Sequence, residues 1–252
     1  MDLANAVALV TGGSGGLGSQ ICKQLAGAGA RIAVAYRGGE KRASVVCETV
    51  RAAGGEAHTV SIDQIDPASI EAGVAWVVSE MGGLDILVNN AGIAMGGHTV
   101  PPGDLDAFTP DIWDEMMAVN VRGPFLLTRA AAPQLRTSNW GRVVNIGSTL
   151  GHGDWYQDRA FAPSKAAVIP LTRFLAASLA PDVTVNCVSP GLMVETGLGS
   201  GGSEALVHGW RDRARLGVTT SVEDVAGQVV QLCRSSTITG QSIVVDAGIH
   251  FQ

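Results

Sequence analysis

Ala6-Val7-Ala8-Leu9-Val10 runs without a break into Thr11-Gly12-Gly13-Ser14-Gly15-Gly16-Leu17-Gly18, and then into Gln20, Ile21, Leu25 and Ala28. The first five residues are uniformly apolar, as expected of a strand buried on both faces of a parallel sheet. The last four recur at helical spacing. Between them, glycines let the backbone tighten and approach a ligand closely, and the helix that follows offers unpaired N–H groups and a positive dipole end. A glycine-rich turn can precede any helix. Strand, turn and helix in this order make a pyrophosphate-binding turn, and hence a dinucleotide site, the stronger reading.

Outward from this turn, apolar strands and amphipathic helices alternate. Arg31–Tyr36 is a second strand, and a helix over 42–53 stops at Gly54-Gly55. Ala57–Ile62 is a third strand, followed by a helix over 68–81 and a fourth strand at Asp85–Val88. The later segments are a long helix over 111–135, a strand at 141–147, a helix from Phe161 to about Ala180 and a strand at 183–189. A helix capped by Ser221 runs to Cys233, and a last strand covers 240–246. Such alternation predicts an α/β protein with a doubly wound parallel sheet. Pro124 within the long helix implies a kink or local break.

Composition bounds the rest. The 252 residues fit one large α/β domain, and 46% hydrophobic content with 33 glycines suits a buried parallel sheet with tight connections. A formal charge of −6 argues against nucleic-acid or anionic-membrane partners. The chain has no basic-then-apolar leader and no apolar run of about 20 residues, so no membrane span is expected. Cys22, Cys47, Cys187 and Cys233 lack metal-ligand spacing and read as reduced core thiols of a cytoplasmic protein, with no metal site.

Two further stretches make the reading specific. Strand four runs into Asn89-Asn90-Ala91-Gly92, and the fifth ends at Ser148, seventeen residues before Lys165 in Phe161-Ala162-Pro163-Ser164-Lys165. With Thr-Gly-x-x-x-Gly-x-Gly at Thr11–Gly18, the chain resembles the short-chain dehydrogenase/reductase family over nearly its whole length, and within it the 3-oxoacyl carrier-protein reductase-like members. That resemblance implies a single Rossmann-like domain over residues 1–252, with about seven parallel strands. It implies a nicotinamide cofactor held by Gly12, Ser14, Gly16, Leu17 and Gly18 at the turn. It also implies Asp63 at the adenine, and Asn90, Ala91 and Gly92 along the adenosine ribose side. Pro190, Gly191, Met193 and Thr196 would lie toward the nicotinamide, although the threonine expected five residues beyond the proline falls on Glu195, with Thr196 one later.

The end of strand two bears on cofactor choice. A carboxylate there would hold the ribose hydroxyls of NAD and repel a 2′-phosphate. This chain has Tyr36 and Arg37, with Lys41 and Arg42 soon after, so NADP(H) is expected in preference to NAD(H).

The resemblance also implies Asn120, Ser148, a tyrosine and Lys165 as the catalytic set. Asn120 would stabilise a helix distortion and hold a water in a proton relay. The tyrosine position holds Phe161. Its spacing from Lys165 keeps both on one helix face, but the phenol that would protonate a carbonyl oxygen is missing. Three readings stand. Phe161 is an engineered replacement made to trap a complex; or the protein is a natural variant using another acid, with Tyr156, His152 and Asp158 near in sequence; or the fold serves a non-redox or regulatory purpose. The parent reaction implied is reversible reduction of a ketone, keto ester or 3-oxoacyl thioester. His98, His152, Trp155, Tyr156 and Trp210, together with Met193, suggest a partly aromatic substrate pocket. The loop over 96–110 should overhang it, and residues 197–217 read equally as a mobile lid or a surface excursion. By resemblance, a homodimer or homotetramer is expected.

Overall fold

The computed structural model describes residues 2–94, 104–139, 141–153, 161–197 and 203–251. Its seven strands form one parallel sheet in the order β3-β2-β1-β4-β5-β6-β7. They are β1 (Val7–Val10), β2 (Arg31–Tyr36), β3 (Ala57–Ser61), β4 (Ile86–Asn89), β5 (Arg142–Ile146), β6 (Thr184–Pro190) and β7 (Ser242–Val245). The helices are α1 (Gly16–Gly27), α2 (Glu40–Ala52), α3 (Pro67–Met81), α4 (Pro110–Met117), α5 (Gly123–Thr137), α6 (Phe161–Leu179), α7 (Glu204–Arg213) and α8 (Val222–Arg234).

Strand β1 shows why its apolar run has no polar alternation. Ala8 and Val10 pack on one face with Ile21 and Leu25 of α1, Val46 and Val50 of α2, and Val225 and Val229 of α8. Val7 and Leu9 face the other way, against Ile70 and Val77 of α3, Leu127 and Leu135 of α5, and Leu175 and Leu179 of α6. A pleated strand sends successive side chains to opposite faces, so only apolar residues suit a strand covered on both. Each fully buried Val, Leu or Ile contributes about 1.5–3 kcal/mol by its removal from water. The four cysteines are free and buried in this interior, and burial pushes the Cys233 thiol up to about 12.

Chain order reverses between β1 and β4, which are paired as neighbours at Ala8–Ile86, Leu9–Leu87 and Val10–Val88. Loops leaving the two strands diverge there and open a crevice at their carboxyl ends. The candidate site residues lie along this rim.

The long helix expected over 111–135 carries the local break that Pro124 implies. Helix α4 ends at Met117, a π turn covers Ala118–Arg122, and α5 begins at Gly123. The π turn directly precedes Pro124, which sits in the first turn of α5 and has no N–H to continue the ladder. Within residues 197–217, α7 is capped by Ser203, whose hydroxyl accepts from the Leu206 N–H, and Trp210 is its buried residue. Among the described residues no helix is long and apolar enough to cross a membrane.

Candidate active site

The glycine turn is built by close approach. Gly12 has φ of +60°, and a Cβ there would lie 3.0–3.1 Å from Ala91 at the end of β4. A Cβ on Gly18 would run into the Gly12 carbonyl oxygen and come within 2.8 Å of Asn90 Nδ2. Thr11 staples the crevice: its Oγ1 accepts from the N–H groups of Asn90 and Ala91, each at 3.0 Å, and donates to the Val88 carbonyl at 3.3 Å. The Asn90 amide donates to the carbonyls of Thr11 and Gly12 at 2.8 and 3.2 Å. Asn90 therefore supports the turn, while Ala91 and Gly92 line the cavity beside it.

That cavity, of about 160 Å³, is also lined by Gly12, Ser14, Tyr36, Arg37 and Asp63. Helix α1 begins beyond Gly15 with no side chain capping its first turn, so its dipole end faces the turn unmasked. Leu17 turns inward to the core, and Gly16 lies under Thr196, whose Cα would be 3.0 Å from a Cβ there. Thr196 Oγ1 donates to the Met193 carbonyl at 2.9 Å, closing a tight turn after Pro190 and Gly191. Among described residues, no cluster of His, Cys, Asp and Glu is arranged to hold a metal.

The chain's residues fit a dinucleotide on these grounds. The cradle excludes side chains where a phosphate must approach, the uncapped helix start supplies donors, and the end of β2 presents the exposed cation Arg37 with no carboxylate before Glu40. The Arg42 guanidinium lies over Gly39, where a Cβ would be 2.9–3.0 Å from it, so a second cation stands near the same corner.

Farther along the rim, Asn120 sits in the π turn and is buried. Its Oδ1 accepts from the Ile93 N–H at 2.9 Å, and its Nδ2 donates to the Ile93 carbonyl at 2.8 Å and to Ser164 Oγ at 3.0 Å. Ser164 Oγ in turn donates to the Phe161 carbonyl at 2.7 Å. The expected helix distortion is present at this residue, and its side chain ties the loop after β4 to the start of α6. The same partners explain why an asparagine is tolerated here, since an unpaired buried amide costs about 1–3 kcal/mol.

Lys165 is buried, and its Nζ donates to the Ile146 carbonyl at 2.8 Å. Gly92 lies alongside, where a Cβ would be 3.3 Å from Nζ and 3.1 Å from Asn120 Oδ1. Burial lowers the Lys165 pKa from 10.5 to about 8. The Phe161 ring packs with Ile112 and Met116 on one side, and the Lys165 ammonium is 5.6 Å from its centroid. Ser148 follows β5 and opens a 3₁₀ turn, Thr149–His152, that packs on α6 so closely that a Cβ at Gly151 would be 2.7 Å from the Lys165 backbone carbonyl carbon. The structure thus brings Asn120, Ser148, Phe161 and Lys165 to one end of the crevice.

Of the residues suggested for a substrate pocket, His98, Trp155 and Tyr156 lie outside the described residues, as does Asp158. Trp210 is buried on α7, and His152 directs Nε2 to the hydroxyls of Ser189 and Ser242 at 3.0 and 3.3 Å. Sequence reasoning missed Gln64, whose buried amide donates to the carbonyls of Ala91 and Val119 at 3.2 and 2.8 Å. It joins the loop after β3 to the loop after β4 and to the π turn. Only its place directly after Asp63 could have drawn attention to it.

A family model described as enoyl-(acyl carrier protein) reductase matches residues 12–250. The chain is 34% identical over 252 residues to a 3-oxoacyl-[acyl-carrier-protein] reductase of Aquifex aeolicus, covering 99% of each chain. Its fold matches a dehydrogenase/reductase from Sinorhizobium meliloti with TM-score 0.91 at 36% identity, covering 99% of this chain and 97% of that one. A short chain dehydrogenase from Burkholderia cenocepacia, solved in complex with NADP, matches with TM-score 0.89 at 36% identity over 99% of both chains. By these likenesses the chain belongs to the short-chain dehydrogenase/reductase family of oxidoreductases.

Proposed function

We propose that this protein is an NADP(H)-dependent carbonyl reductase and alcohol dehydrogenase, weakened in its present form by Phe161. The observation that carries the reading is the assembly of Asn120, Ser148 and Lys165 around a ring that fills the tyrosine position and lacks only its oxygen. The turn from Gly12 to Gly18 would hold the pyrophosphate. Asp63, Ala91 and Gly92 would hold the adenosine side, and Arg37 and Arg42 a 2′-phosphate. Pro190, Gly191, Met193 and Thr196 would lie toward the nicotinamide, which when bound supplies or accepts the hydride.

The chain's own part is to orient a carbonyl and deliver a proton. Ser148 would hydrogen-bond the carbonyl oxygen. Lys165 carries charge beside the ring position, where it would lower the pKa of a phenol. Without that phenol the proton donor is gone, and a general acid typically contributes 10²–10⁴-fold. The substrate would be a small ketone, keto ester or 3-oxoacyl thioester, consistent with the likeness to 3-oxoacyl reductases. The enzyme would act in the cytoplasm as a homodimer or homotetramer.

A second reading rests on Phe161 itself: a natural tyrosine-less form that binds NADP(H) for a non-redox or regulatory purpose. Phe161→Tyr separates the two. NADPH oxidation with a panel of ketones should rise by two to three decades. NADPH binding without any gain on any carbonyl would favour the binder.

A further inference from the structure

The turn that begins at Ser148 is held from outside the site. Ser148 Oγ accepts from the Leu150 N–H at 3.2 Å, and the Ser148 carbonyl accepts from the Gly151 N–H at 3.0 Å. At the start of the turn, Thr149 Oγ1 donates to Asp246 Oδ2 at 2.6 Å. Asp246 lies beyond β7, and its carboxylate also accepts from the N–H groups of Gly248, Ile249 and His250 at 2.9–3.1 Å. At the end of the turn, His152 Nε2 lies 3.0 Å from Ser189 Oγ on β6 and 3.3 Å from Ser242 Oγ on β7. These two hydroxyls are themselves 3.0 Å apart. Ser189 is fully buried and immediately precedes Pro190. On the other side it crowds Gly147, where a Cβ would come within 2.6 Å of its Oγ.

We infer that His152 is a positioning residue, whose ring nitrogen locks the Ser148 turn to the carboxyl ends of β6 and β7. The relevance of this lock to turnover rests on the proposed role of Ser148. An imidazole suits the task because Nε2 accepts from a serine hydroxyl in one neutral tautomer and donates to one in the other. An alanine would leave both hydroxyls without this bridge, and the turn would keep only the Thr149 bond and its packing on α6. The groups facing the ring are His250, with ring centroids 6.1 Å apart, Asp246 beyond β7, Arg173 on α6, and Cys187 on β6, whose Sγ is 3.6 Å from Ser189 Oγ. Burial, then His250, lowers the His152 pKa below its ordinary 6.5; Asp246 opposes this and Arg173 adds to it. At neutral pH the lock is therefore an uncharged one.

Amide hydrogen exchange in the full chain tests this without any need for turnover. Leu150 and Gly151 donate within the turn, so their protection factors report its opening. His152→Ala should lower both by about five- to tenfold, the scale of one lost hydrogen bond, with Leu9 and Ile32 in the sheet unchanged. His152→Gln, whose amide reaches the same hydroxyls, should restore most of the protection. Unchanged protection in His152→Ala, or equal loss in His152→Gln, would overturn the inference. If the alanine variant fails to fold, the glutamine variant decides by the same two amides. In the Phe161→Tyr background, His152→Ala should lower kcat for ketones while NADPH affinity holds, and an equal fall in both would count against a positioning role. Absence of ketone reduction in that background would defeat the reductase reading alone, since the exchange result stands by itself.

Discussion

The Lys165 ammonium stands 5.6 Å from the centroid of the Phe161 ring and is buried with a carbonyl, not a carboxylate, as its hydrogen-bond partner. A charge so placed is attracted to the ring face, yet remains poorly solvated. The apparent contradiction, a buried cation kept beside an apolar ring, is what the proposed function would require of a lysine placed for a ligand and a phenol.

The cost should be measurable. Because the folded pKa is lowered to about 8, the unfolded chain binds more protons between about pH 8 and the ordinary 10.5. Stability from this group therefore increases as pH rises through that window and is lost as pH falls through it. Lys165→Met should raise apo-protein stability at pH 7 by about 1–3 kcal/mol in urea unfolding, with the advantage fading toward pH 10.5. A destabilised methionine variant at pH 7 would refute this account of the lysine.

The same residue should be needed for any gain at Phe161. In Phe161→Tyr, a second change of Lys165→Met should cancel most of the two to three decades gained, because a phenol without the neighbouring charge keeps a high pKa. Initial rates of NADPH oxidation at saturating cofactor provide the comparison. Equal rates in the single and double variants would remove Lys165 from the chemistry.

Cofactor choice should depend on the corner after β2. Arg37→Ala should weaken NADPH binding by about ten- to a hundredfold, the worth of a charge-assisted hydrogen bond, and NADH binding by much less. Titration of intrinsic tryptophan fluorescence with each nucleotide measures both. Equal weakening would indicate general damage to the turn.

Asn120→Ala should be costly far beyond its size. It removes the pair of hydrogen bonds to Ile93 and the one to Ser164, leaving half-buried backbone groups of the rim without these partners. A loss of about 2–4 kcal/mol in chemical denaturation is expected. An effect under 0.5 kcal/mol would mean the π turn is held by its backbone alone.

The strands and most helices were legible because the sheet is buried on both faces, so each strand is an apolar run and each helix an amphipathic stripe. The apolar run alone places Leu9 and Val10 in a two-sided core, one on each face. A local break near Pro124 was legible, but its form as a π turn over Ala118–Arg122 was not, since the pattern over 111–135 is helical throughout. What fixes the π turn is the contact of Asn120 with Ile93 and Ser164, 27 and 44 residues away in sequence. His152 shows the same limit. Its chemistry could be read, but its partners on β6 and β7 lie 37 and 90 residues distant. Gln64 carried no local sign of its bridging role beyond its place after Asp63, because a glutamine after a strand is ordinarily a solvated one. Trp210 was read from its place near a predicted lid, and folding buries it on α7.

Thr11 has a consequence for how tightly a nucleotide can be held. One hydroxyl binds the end of β1 to two successive amides at the end of β4, and Asn90 returns two bonds to the same turn. The two lips of the crevice are thereby a single rigid piece before any ligand arrives. Little backbone ordering remains to be done on association, so the entropy opposing capture falls mainly on the nucleotide. Thr11→Val keeps the shape and removes the hydroxyl. It would convert a preorganised cleft into one that has to be assembled at each encounter.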